Sequence, residues 1–219
     1  MRTLRIALGT LLLAACGSNV SVSSGTTGAG TGGTVSPAGG QWVWQSDIPS
    51  SQQLNAVWAS GPTDVWAAGD DGVMLHYDGA AWFTVDPGTM NHLHAMWGAS
   101  PQDVWTVGGG LGGPNTATLV HWDGQAWSPM DSGTSINLSG VWGSGASDVY
   151  AVGGDTVSGT IQHFDGTSWS TAWSSDTTAP AAIWGSGASD VWAVGAFIYP
   201  AFGDHRPCHA HVELRDAGV

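Results

Sequence analysis

Four side chains near the C-terminus have the chemistry to hold a soft or borderline metal ion. The stretch Asp204–His205–Arg206–Pro207–Cys208–His209–Ala210–His211 brings together one thiol, Cys208, and three imidazoles, His205, His209 and His211. Thiolate and imidazole donors suit Zn²⁺ or Cu. The spacing His-x-x-Cys-His-x-His matches no standard structural zinc pattern, and donors this close need a sharp turn to reach one ion. The competing reading is an irregular loop with an unpaired thiol. A second stretch, Asp70–Asp71–Gly72, offers oxygen donors for Ca²⁺. It lacks the spaced ligands of a calcium loop and reads better as a solvated turn.

Other candidate groups recur, and recurrence changes their meaning. Asp64, Asp103, Asp148 and Asp190 stand at one equivalent position, and Asp78, Asp123, Asp165 and Asp216 at another. His76, His121 and His163 each stand two residues before an Asp of the second set, with Leu214 in the fourth place. A glycosidase needs two carboxylates in different environments facing one cleft. Carboxylates that obey a repeat do not meet that need. Aspartates at turns bond their own backbone, so these eight read as structural. The histidines read as hydrogen-bonding partners rather than as ligands of one metal.

The element that positions all of them is a repeat. Its first tryptophan is Trp58, Trp97, Trp142 and Trp184, giving a period of 39 to 45 residues. From that tryptophan to a closing glycine is eleven residues in each copy: Gly69, Gly108, Gly153 and Gly195. From the Asp of Asp–Gly to the next tryptophan is nineteen: Asp78 to Trp97, Asp123 to Trp142, Asp165 to Trp184. All length variation lies between Gly and Asp, in gaps of nine, fifteen, twelve and twenty-one residues. Fixed spacing marks packed elements; variable spacing marks surface loops. Equivalent units should bring the four variable loops out on one rim, the first place to look for function.

Each unit reads as four short strands. In the first copy these are Leu54–Trp58, Asp64–Gly69, Val73–Tyr77 and Ala81–Val85, with turn signals at Ser60–Thr63 and Asp78–Gly79. The second strand is apolar on both faces, so both must be covered. Four small strands per unit is the geometry of a propeller blade. A lone blade has two greasy faces and needs neighbours. Of 14 tryptophans, eleven fall in register and read as the core between blades, leaving Trp42, Trp44 and Trp173. The expected fold is all-β: a small propeller of four four-stranded blades. Gly40–Trp44 resembles the missing outer strand of the last repeat and is expected to complete that blade, which removes open edges. An open arc, or an oligomer that finishes a larger ring, is the alternative.

Charge narrows the partners. The chain has no lysine, four arginines, and a formal net charge of −13. So acidic a surface repels nucleic acid and gains nothing from anionic lipid. The N-terminus reads as an export signal: Arg2 and Arg5, then an apolar run from Ile6 to Ala15 too short to span a bilayer. Leu13–Ala14–Ala15–Cys16 resembles the bacterial lipobox. That resemblance implies cleavage before Cys16, lipidation of its sulfur and amino group, and, with Gly17 next, residence at the outer membrane. An ordinary signal peptide with a chance cysteine is the alternative. Residues 17–40 are Gly/Ser/Thr-rich and read as a flexible tether spanning roughly 25–30 Å. The expected organisation is residues 1–15 signal peptide, 16–40 lipidated cysteine and tether, and 41–219 repeat domain.

The strings Gly143–Ser144–Gly145–Ala146–Ser147–Asp148–Val149–Tyr150–Ala151–Val152–Gly153 and His163–Phe164–Asp165–Gly166–Thr167–Ser168–Trp169 resemble repeats of bacterial surface lipoproteins of propeller type. They are distantly similar to the Asp-box (BNR) repeat of sialidase-type propellers. The likeness covers residues 41–219. It departs at a key point: an Asp-box reads Ser-x-Asp-x-Gly-x-x-Trp, whereas here Asp and Gly are adjacent. Sialidase chemistry implies an arginine triad and a Tyr/Glu pair, yet beyond the export signal only Arg206, Arg215 and Glu213 are present. The expected role is therefore a membrane-anchored, non-catalytic binding or scaffolding module, using its loop rim on a protein or glycan. A metal-binding surface protein and a carbohydrate-active enzyme are the rival readings.

Overall fold

The computed structural model describes residues 48–110 and 117–197, together with the strand residues Thr3–Leu4 and Leu214–Arg215. A two-residue strand, β1 (Thr3–Leu4), comes first. Blade 1 contains β2 (Leu54–Gly61), β3 (Asp64–Gly69), β4 (Met74–Tyr77) and β5 (Trp82–Thr84). Blade 2 contains β6 (His92–Ser100), β7 (Asp103–Gly109), β8 (Ala117–Trp122) and β9 (Trp127–Pro129). Blade 3 contains β10 (Leu138–Gly145), β11 (Asp148–Gly154), β12 (Gly159–Phe164) and β13 (Trp169–Ser175). Each is an antiparallel meander in sequence order. The fourth sheet has β14 (Thr178–Gly187) and β15 (Asp190–Phe197), then β1, then β16 (Leu214–Arg215).

The inner strands run further than the sequence pattern predicts. β2 continues through Ser60–Gly61 because a register shift between Ala59 and Gly61 keeps it paired to β3. The same irregularity recurs in the other three sheets, between Gly98 and Ser100, Gly143 and Gly145, and Gly185 and Gly187. In the fourth sheet Thr3–Leu4 lies parallel to Asp190–Val191 and antiparallel to Leu214–Arg215. The Gly40–Trp44 segment expected to complete this blade lies outside the described residues. The chain divides into two units, Met1–Gly9 with Pro49–Val219, and Thr10–Ile48; all four sheets belong to the first. The single 3-10 turn, Asp70–Gly72, is the only helical element among the described residues, and no helix there is long and apolar enough to cross a membrane.

First strands of successive blades lie side by side: β2 by β6, β6 by β10, β10 by β14. The apolar faces meet at these seams. Trp66, Ala68 and Met74 pack on Leu93, Val104, Val120 and Trp127. Trp105, Val107 and Leu119 pack on Leu138, Val141, Val149, Phe164 and Trp169. Val152 and Ile161 pack with Ala193. Edge-on indole pairs bridge two seams, Trp66–Trp127 at 5.2 Å and Trp105–Trp169 at 5.3 Å. Each buried indole removes about 150–250 Å² from water, or roughly 4–6 kcal/mol as an upper bound before entropy is counted. The in-register tryptophans are thus the mortar between blades, with one systematic exception at the end of the stack.

Two glycines of the repeat have steric reasons. A Cβ on the closing glycine would strike the backbone carbonyl that leads into the first strand: Gln53 O lies 1.9 Å from it at Gly69, and Asn137 O 1.9 Å from it at Gly153. The second reason lies between blades. The indole of Trp58 covers Gly98, that of Trp97 covers Gly143, and that of Trp142 covers Gly185, each within 2.6 Å of where a Cβ would sit.

Candidate functional site

The recurring carboxylates and imidazoles meet one another inside each blade. His76 Nε2 bonds Asp64 Oδ1 at 2.7 Å, His121 bonds Asp103 at 2.7 Å, and His163 bonds Asp148 at 2.9 Å. The ring then stacks on the second-strand aromatic: His76 on Trp66 at 4.1 Å, His121 on Trp105 at 3.9 Å, His163 on Tyr150 at 4.4 Å. Ser60 and Ser144 donate to the other carboxylate oxygen of Asp64 and Asp148. In the fourth blade Leu214 stands in the histidine place. There Trp192 Nε1 donates to Asp190 Oδ1 at 2.7 Å and Ser186 to Oδ2 at 2.6 Å.

This is a Ser–Asp–His trio with the wrong order for nucleophilic catalysis. In a catalytic triad the imidazole bridges hydroxyl and carboxylate, so that it can take the hydroxyl proton. Here the carboxylate is the bridge. It anchors the mouth of the β2–β3 hairpin, or its equivalent, to the third strand. The histidines thus bond within their own blades.

Three of the second set, Asp78, Asp123 and Asp165, are also structural, and Asp216 lies outside the described residues. Asp78 Oδ1 accepts the backbone N–H of Ala80 and Ala81 at 2.9 and 3.0 Å. Asp123 accepts from Gln125 and Ala126, and Asp165 from Thr167 and Ser168, all at 2.8–2.9 Å. These backbone donors, led by those of Ala81, Ala126 and Ser168, hold all three carboxyls below the usual carboxylate range. The following glycine is left-handed in each case, with φ of 94°, 90° and 95°. It sits against Thr63, Gln102 or Ser147 of the first turn of its own blade. One end of each of the first three blades is thus closed and uniform.

The opposite end is where blades differ. The turn after β3 and the connection between blades 1 and 2 meet there: a Cβ on Gly72 would lie 2.1 Å from Thr89 O. Asp71 holds a left-handed φ of 55°. Its N–H donates to His92 Nδ1 at 3.3 Å, and Asp70 Oδ1 lies 3.1 Å from the same ring nitrogen. Asn55 Nδ2 donates to Asp70 Oδ1 at 2.8 Å, and Gln52 Nε2 to Asp71 Oδ2 at 2.6 Å. A side-chain amide holds one oxygen of each carboxylate, which supports the turn reading of Asp70–Asp71–Gly72. Met90, 80% exposed, stands beside this cluster on the connection, and Val157 is exposed on the turn after β11. The places of Gln52, Asn55, Met90 and His92 hold a different residue type in each other described blade, whereas Asp71 recurs as Asp155, two residues after the closing glycine.

Sequence reasoning missed one polar device at this end. Asn55, His94 and Ser139 occupy the same place, three residues before the first tryptophan. Each reaches a backbone carbonyl of the next blade: Asn55 to Leu93 O at 3.2 Å, His94 to Leu138 O at 2.9 Å, Ser139 to Ala181 O at 2.9 Å. Three residue types do one job, so no repeated letter announced it. The fourth blade has Ala181 there.

Cys16 and the loop bearing His205, Cys208, His209 and His211 lie outside the described residues. Among the described residues no group of three or more His, Cys, Asp or Glu side chains is arranged to hold a metal ion.

No protein-family model matches the chain, and no curated protein does. Solved structures do match. YCF48 from Cyanidioschyzon merolae aligns at 13% identity and a TM-score of 0.50, over 78% of this chain and 59% of that one. A chain from the crystal structure of a nidogen/laminin complex aligns at 12% identity and 0.53, over 68% and 59%. The Aleuria aurantia lectin, described as a six-bladed β-propeller, aligns at 16% identity and 0.44, over 76% and 62%. The fold is that of a β-propeller. At such identities the likeness carries the fold alone. The four sheets span about three-fifths of the propeller chains they match.

Proposed function

We propose that this chain is a non-catalytic binding module that recognises a protein or glycan through the loop end of its blades. One observation carries the reading. The repeated carboxylates and imidazoles are engaged in hydrogen bonds of the frame, and residues that differ between blades, among them Gln52, Met90 and His92, gather at the loop end. A rigid frame with one diverse end is the usual layout for recognition. The neighbour from the nidogen/laminin complex is a propeller found with a protein partner, which supports the same class of role.

The test is a screen of the full chain on glycan and peptide arrays, beside two variants. Met90→Ser with Gln52→Ala alters the loop end; Gln125→Ala with Thr167→Ala alters the closed end. The expected result is a defined set of ligands that the first variant loses and the second keeps. Turnover of a chromogenic glycoside panel, or recognition indifferent to the loop-end changes, would overturn the proposal.

The proposal extends to location. Cleavage before Cys16 and lipidation of its thiol tether the propeller to a bacterial outer membrane through residues 17–40. Such cleavage also removes Thr3–Leu4, so the sheet edge beside Asp190–Val191 becomes available to Gly40–Trp44.

A further inference from the structure

The stack of blades ends on two bare faces, and the two are halves of one seam. At the trailing end Trp184 is 63% exposed, whereas its equivalent Trp142 is 9% exposed beneath the next blade. Val194 is exposed where Ala68, Val107 and Val152 are buried. At the leading end Val57 is 68% exposed, whereas its equivalent Val141 is 8% exposed. Leu54 is exposed where Leu93 and Leu138 are buried. Both outer faces keep the apolar residues of the inner seams. Terminal repeats that face water normally carry a polar outer surface, and these do not.

We infer that a second copy of this chain covers these faces, blade 4 of each copy packing on blade 1 of the other. The internal seams supply the rule. An indole at the first-tryptophan position lies on the first strand of the following blade, just after that blade's own tryptophan. Applied once more, Trp184 lies on Ala59, flanked by Val57 and Leu54. This contact is heterologous, since two different patches meet, and a two-fold pair of them closes without a free end. Two copies give eight blades, within the usual range of four to eight.

The new seam is looser than the internal ones. Ala59 replaces the socket glycine, so its methyl holds the indole further off than Gly98, Gly143 or Gly185 does. Ala181 replaces the polar reach of Asn55, His94 and Ser139. The pair therefore lacks the carbonyl-reaching hydrogen bond of the inner seams and dissociates on dilution.

Sedimentation of the full chain, with Cys16→Ser so that no acyl group drives micelle formation, tests this. The expected species is twice 22.4 kDa, falling to 22.4 kDa on dilution. Trp184→Glu and Val57→Glu should each weaken pairing by more than about tenfold, as central aromatic and apolar anchors do. Both sites are exposed in the single copy, and an unchanged melting temperature checks that each variant folds. Mixing the two variants should restore a 1:1 pair, because one intact seam remains between them. A chain that stays monomeric at all concentrations, or variants that pair as well as the parent, would overturn the inference. So would a mixture that stays monomeric, since a head-to-head contact behaves that way.

Discussion

Gly143→Ala tests whether the indole–glycine contact holds the blades together. The added Cβ would lie 2.6 Å from Trp97 Cη2 and 2.9 Å from Asp148 O. Carbon atoms rest about 3.5–4.0 Å apart, so the indole must retreat by roughly 1 Å. It cannot do so freely, because Trp97 packs against the buried cluster of Trp105, Leu138 and Val141. Overpacking of this kind costs about 1–3 kcal/mol. For a folded unit of this size that lowers the melting temperature by roughly 2–12 °C. The assay is thermal and urea unfolding of the full chain, with the urea slope checked for constancy. Gly145→Ala is the control: two residues on, a Cβ meets nothing within 4 Å. It should leave stability unchanged or raise it by up to about 1 kcal/mol. Trp97→Phe removes the far edge of the indole, so the Gly143→Ala penalty should shrink by about 1 kcal/mol or more in that background. Equal stability of the two alanine variants, or a penalty untouched by Trp97→Phe, would refute the contact. Blade 1 already carries an alanine here, Ala59, and it is exposed.

Other predictions concern separate features. The indole N–H of Trp127 is buried without a hydrogen-bond partner among the described residues; Trp127→Phe should cost less than about 1.5 kcal/mol in urea unfolding, against about 3–5 for Trp127→Ala. The turn carboxyls Asp78, Asp123 and Asp165 titrate below 3.8 in the folded state, so their stabilisation is present above that value and is lost as pH falls through their folded pKa. Replacing all three by asparagine, which cannot ionise, should lower stability at neutral pH and flatten its further loss below about pH 4, as acid titration followed by circular dichroism would show. Cys16→Ser should abolish incorporation of a labelled fatty acid and move the protein from the membrane to the soluble fraction.

Much of the frame was legible because it rests on short-range constraints. The eleven-residue interval from tryptophan to glycine is one hairpin plus the crossing carbonyl that excludes a side chain. Asp–Gly marked the third turn in the first three blades, because a left-handed residue follows a carboxylate that caps two N–H groups. The Asp–His bond was harder to see. Its sequence separation is 12, 18 and 15 residues, since the variable loop lies between the partners. Both residues keep constant distances from their own anchors, and that double constancy was the available signal. The reach of Asn55, His94 and Ser139 across the seams had no such signal.

From its letters alone the chain determined a repeated four-stranded blade with apolar faces, because strand period, turn chemistry and tryptophan spacing act within one unit. Whether a given face is covered is a property of its neighbour. Trp142 and Trp184 are the same residue at the same place in the repeat, yet one is buried and the other stands in solvent. Only the three-dimensional stacking decided that, since burial depends on which blade comes next.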